Sequence, residues 1–102
     1  MKILTAVAFA LSMSAQATDY TQTCVEIGEL AKIIMDRRQD GIEIAKMLEL
    51  ANKQESDYVS KLTKSIIIEA YKVSRYSTFD YKQRAIEEFT NSTVVACLQS
   101  YS

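Results

Sequence analysis

Two side chains in this 102-residue chain have obvious covalent chemistry, Cys24 and Cys97. Neither sits in a Cys-x-x-Cys pair, neither has a basic neighbour in sequence, and the chain has no histidine. The surroundings that lower a thiol pKa or complete a metal site are therefore missing. With only two cysteines, one intramolecular pairing is available, and a disulfide is the simplest use of them. It would close nearly the whole chain, which the loop-entropy model values at roughly 4 kcal/mol.

The rest of the catalytic repertoire is thin. Without histidine the usual general base and the commonest metal ligand are gone. Two isolated glycines, Gly28 and Gly41, cannot build a phosphate-binding loop. Two carboxylates would suffice for glycoside hydrolysis. The only adjacent acidic pair, Glu87-Glu88, points its side chains about 100° apart if helical, and so reads as a solvated helix face. We expect no enzyme, no catalytic residue, no metal and no cofactor.

Two segments suit recognition. Asp36-Arg37-Arg38-Gln39-Asp40-Gly41 is a charged helix end, where Arg37 and Arg38 could grip a carboxylate or phosphate. The plainer reading has them bonding the last carbonyls of the helix and complementing its dipole. The second segment, Tyr71 to Lys82, holds three tyrosines, one phenylalanine and three basic residues in twelve positions. Tyrosine and arginine anchor protein interfaces, and aromatic rings also stack on sugars. Tyr71, Arg75, Tyr76, Phe79 and Tyr81 are the candidate binding edge. Alternatively Phe79 and one or two tyrosines finish the core.

The elements that must position these residues are helices. Proline is absent, and the turn residues of a β-sandwich are missing. Cys24, Ile27, Leu30, Ala31, Ile34 and Met35 step by three and four, and the segment stops at Arg38–Gly41, with Gly41 in the left-handed stop conformation. A second helix is expected from about Ile42 to Ala51, with Ile44, Ala45, Met47, Leu48 and Ala51 inward. A third runs from about Ser56 to Ser74 along Val59, Leu62, Ile66, Ile67, Ala70 and Val73. A last one spans about Asp80 to Gln99, with Ala85, Ile86, Phe89, Thr93, Ala96 and Cys97 inward. The predicted fold is all-α, a small bundle of three to four helices closed by one disulfide between the first and last. Those two lie close together and antiparallel, and the middle pair folds back over them.

Residues 1–17 carry the three parts of a cleavable signal peptide: Lys2, an apolar run from Ile3 to Met13, and the Ala15-Gln16-Ala17 site. The apolar run is too short to span a bilayer. Residues 18–102 would form one domain. Loss of Lys2 leaves 11 basic against 13 acidic residues, a net charge of −2 that offers no footprint for nucleic acid. Residues 18–57 hold nine acids and five bases, and 58–102 hold four and six, so the domain is mildly bipolar.

The run Cys24 to Gly41, with Ala31, Ile34-Met35 and Arg38-Gln39-Asp40-Gly41, then Ala70-Tyr71 and a late cysteine, resembles small exported proteins of proteobacteria and their phages. Two characterised types share the plan of signal peptide, helices and two cysteines. One is the phage periplasmic lysozyme inhibitor spackle, and the other is the acid-stress periplasmic chaperone family. Export, small size, the missing catalytic groups and the aromatic–basic segment point to a non-enzymatic periplasmic interaction protein with a protein partner and no membrane anchor after cleavage, and the expected form is a phage-related inhibitor or superinfection-exclusion factor. The alternative is the acid-stress chaperone.

Overall fold

The computed structural model describes the backbone of residues 2–101 and the side chains of residues 20–101; the expected signal peptide, residues 1–17, lies outside the described side chains. Four helices follow one another: α1 (Lys2–Gln39), α2 (Ile44–Asn52), α3 (Asp57–Tyr71) and α4 (Phe79–Ser100), with no strand among the described residues. The architecture is the expected all-α bundle, closed by a disulfide between the first and last helices.

α1 is the central element. It packs along α4 and against α3, while α2 packs on α3. The middle pair thus does not cover both terminal helices: α2 rests on its hairpin partner. The α1–α4 pair is antiparallel, since Tyr20 stacks on Tyr101 at 4.4 Å between ring centroids, Cys24 bonds Cys97, and Gln39 meets Lys82. Gly28 makes this closeness possible, because a Cβ there would collide with the Val94 side chain. The Cys24–Cys97 Cα atoms are 5.5 Å apart across a sequence separation of 73. A disulfide of this kind suggests an oxidising, exported environment. Among the described residues no helix is long and apolar enough to cross a membrane.

The core is where all four helices converge. Ala31, Ile34 and Met35 of α1 meet Met47 and Ala51 of α2, Ile66, Ile67 and Ala70 of α3, and Ile86 of α4. Fully burying one such large side chain contributes about 1.5–3 kcal/mol. Among the described side chains of α1 and α3, the buried positions lie mostly in the C-terminal half of the helix. Ile44, Ala45 and Val59 were expected inward but are exposed; all three sit in the first turn of their helices, ahead of the buried positions. Ala96 is likewise exposed, at a groove between α3 and α4.

Local chemistry sets the boundaries. Gly41 takes φ +85°, and it ends α1 as expected. Ser56 accepts from the Val59 amide and caps α3; Thr78 accepts from Tyr81 and caps α4. α2 starts two residues later than expected, at Ile44, because Ile42 still bonds back to Arg37 in the turn that leaves α1. α3 stops at Tyr71, three residues before the expected Ser74, and the carbonyls of Val73 and Ser74 just after it accept from side chains of α1. The β-branched stretch Thr90–Val95 stays helical. Thr90 and Thr93 turn their hydroxyls back onto the carbonyls of Ile86 and Phe89, which satisfies them inside the helix.

Candidate functional site

The α3–α4 connection, which carries most of the predicted binding edge, is fastened to the C-terminal end of α1. The fastening uses backbone carbonyls that a helix end leaves without intrahelical partners. Arg75 Nε donates to the Gln39 carbonyl at 3.1 Å, and Lys82 Nζ donates to the same oxygen at 2.5 Å. Arg75 also reaches the Asp40 carbonyl at 3.5 Å. Its guanidinium lies over Gly41 so closely that a Cβ would fall 2.7 Å from Cζ. In return, Arg38 Nε donates to the Val73 carbonyl at 3.1 Å. Cations at this end also complement the negative pole of the α1 dipole.

Gln39 is the centre of the fastening. It is 1% exposed, and its side-chain amide is fully used. Nε2 donates to the Ser74 carbonyl at 2.9 Å and to Met35 Sδ at 3.5 Å, while Oε1 accepts from the Tyr76 amide at 2.8 Å. A single glutamine therefore holds both sides of Arg75. Tyr71 closes the ring of contacts. Its hydroxyl donates to the Ile42 carbonyl at 2.6 Å, and the Arg38 guanidinium lies 5.1 Å from its ring centroid. Burial pushes the Tyr71 hydroxyl above its ordinary pKa, with Arg38 pulling the other way more weakly.

The seven predicted contact residues therefore divide into three groups. Arg38, Tyr71 and Arg75 are engaged in these fastenings; Arg38 bonds the Val73 carbonyl of the α3–α4 connection and not the last carbonyls of its own helix, and Arg75 remains exposed. Arg37 and Phe79 belong to one outer face. Arg37 lines a groove between α1 and α4 with Lys32, Ile33, Gln83 and others. Phe79, 73% exposed, stands one turn before Gln83 on the same stripe of α4. Phe79 does not complete the core. Tyr76 and Tyr81 belong to a second groove, on another stripe of α4. Their ring centroids are 6.0 Å apart, and Arg84 lies 5.5 Å from the Tyr81 centroid.

Sequence reasoning missed Gln39 and Lys82 as positioning groups and Arg84 as a groove residue. Arg84 had a signal: it follows Tyr81 by three residues, on the same face of a helix. Gln39 had none, because a glutamine at a helix end reads as solvent-facing. Among the described residues no cluster of three or more cysteine, aspartate or glutamate residues is placed to hold a metal ion. Comparison of the chain with protein-family models, with curated proteins and with solved structures finds no match.

Proposed function

We propose that this chain is a non-enzymatic interaction protein of the periplasm, acting as an inhibitor or exclusion factor of phage origin. The observation that carries the reading is Phe79, a large apolar side chain 73% exposed on the rigid first turn of α4. Ile33, 54% exposed, and Arg37 flank the adjoining groove. Aromatic, aliphatic and arginine side chains in this arrangement supply the anchors of protein interfaces. The loop before Phe79 is tied to α1 through Gln39, Arg75 and Lys82, so little ordering entropy remains to be lost on binding. The disulfide and the signal-like N-terminus support export.

Affinity capture with the oxidised protein from periplasmic extract of phage-infected cells tests this. A retained protein that is lost with Phe79→Ala or Arg37→Glu supports the reading. Removing a central aromatic anchor costs about 2 kcal/mol or more, roughly 30-fold in affinity. No retained protein, or equal retention by both variants, refutes it.

A further inference from the structure

The groove beside Tyr76 and Tyr81 is lined quite differently from the face that carries Phe79. It measures about 390 Å³ and has an apolar floor of Val73, Ala85 and Phe89. Along one wall Tyr81, Arg84, Glu88 and Ser92 follow at helical spacings of three and four, so all four share one stripe of α4. From Tyr81 to Ser92 the stripe runs roughly 16 Å at the α-helical rise. Tyr76 closes the near end, with its ring tilted 35° from that of Tyr81. Both rings are accessible, at 40% and 54% exposure.

Arg84 and Glu88 form no ion pair with each other. Arg84 and Glu88 are one turn apart and face the same groove, yet the ion pairs of the described residues lie elsewhere: Asp36–Arg37, Asp57–Lys61 and Glu69–Lys72. Arginine placed before glutamate is the weaker order for such a pair on a helix. The Arg84 guanidinium lies against the Tyr81 ring instead. The stripe thus presents donors at Arg84, an acceptor at Glu88 and a hydroxyl at Ser92, beside two aromatic faces.

We propose that this groove binds a neutral oligosaccharide of pyranose rings. The C–H face of a pyranose packs on an aromatic ring, which Tyr76 and Tyr81 provide. Guanidinium only donates hydrogen bonds and carboxylate only accepts them, whereas a sugar hydroxyl does both. Neighbouring hydroxyls on a neutral sugar therefore satisfy Arg84 and Glu88 together. A peptide would need an opposite charge for each, in matching order. The volume suits a short stretch of a glycan chain, within the range of small-ligand sites. This proposal goes beyond the protein-binding reading and does not depend on it, since Phe79, Ile33 and Arg37 are not part of this groove.

Titration of the ¹⁵N-labelled oxidised protein with tetrasaccharides tests it, using β-1,4-linked N-acetylglucosamine, β-1,4-linked glucose and α-1,4-linked glucose. Saturable shifts at millimolar sugar, centred on Tyr76, Tyr81, Arg84, Glu88 and Ser92, are expected with at least one of them. Tyr81→Ala should weaken binding about fivefold, in line with the worth of an aromatic contact. Glu88→Gln should weaken it too, whereas Phe79→Ala should leave it unchanged. All three positions are exposed, and far-UV circular dichroism verifies that each variant folds. No saturable shift with any of the three sugars overturns the proposal. So does an affinity that Tyr81→Ala leaves unchanged.

Discussion

Replacing Gln39 with leucine keeps the side chain's approximate size and removes all of its polar bonds. The Ser74 carbonyl loses its 2.9 Å donor and the Tyr76 amide its 2.8 Å acceptor. Each such bond contributes about 1 kcal/mol net, and a group left buried and unpaired costs about 1–3 kcal/mol. Ser74 and Tyr76 are partly reachable by water, which holds each cost toward the lower end. The expected loss is about 2–3 kcal/mol, against the roughly 5–15 kcal/mol that holds most domains folded. For a domain of this size it corresponds to a fall of roughly 10–20 °C in Tm. Urea unfolding followed by circular dichroism gives the stability change. Hydrogen exchange at the Tyr76 amide gives the local one, with protection in the parent and exchange faster by at least an order of magnitude in the variant. A stability change under about 0.5 kcal/mol, the range of ordinary surface substitutions, would show that Gln39 does not fasten the loop. So would an unchanged Tyr76 exchange rate.

Gly41→Ala meets a left-handed backbone at φ +85° and the Arg75 guanidinium where its Cβ must go. It should cost more than the roughly 1 kcal/mol of a strained φ alone, read as a lower urea midpoint with unchanged slope. Reduction of Cys24–Cys97 releases a loop of 73 residues and should cost about 4 kcal/mol in the chain-entropy model; mass spectrometry of the oxidised chain should find it two hydrogens lighter. Tyr71 gives an alkaline limit. Its folded pKa lies above the unfolded value of 10.0, so its contribution is complete below that pH and is lost as the pH rises through the folded value. Tyr71→Phe should flatten that part of the pH profile. In acid the reverse holds: the described carboxylates are exposed except for half-buried Asp36, and the three ion pairs are surface pairs worth little. Far-UV circular dichroism should therefore stay helical to about pH 3, where a chaperone switched on by acid would unfold.

The buried face of α1 was legible because Ala31, Ile34 and Met35 repeat at the period of a helix, and because solvent-facing charges fill the gaps. The disulfide was legible by elimination, and the end of α1 from Gly41, whose backbone only glycine takes easily. The candidate site was half legible. Composition marks Tyr71–Lys82 as unusual, but it cannot say which way a side chain turns. Arg38, Tyr71 and Arg75 are held by backbone carbonyls, and a carbonyl has no residue type for a sequence to display. Phe79 stayed outside because Thr78 caps α4 and so fixes the azimuth of the residue after it. The path of the chain just after α3 was illegible for the same reason, since the donors to the Val73 and Ser74 carbonyls come from 35 residues away.

The stacked rings of Tyr20 and Tyr101 make the described ends of the domain immediate neighbours, at the pole away from Gln39 and Tyr76. A circularly permuted chain is therefore within reach, with a few glycines and serines joining residue 101 to residue 20. New termini would open in the exposed turn between α2 and α3, at residues 53–56. In that molecule the same two cysteines would enclose only a short loop instead of most of the chain. The bridge would then constrain the unfolded state less, while every contact of the folded state stayed in place. Comparing the two connectivities would separate what the disulfide does to the unfolded chain from what it does to the bundle.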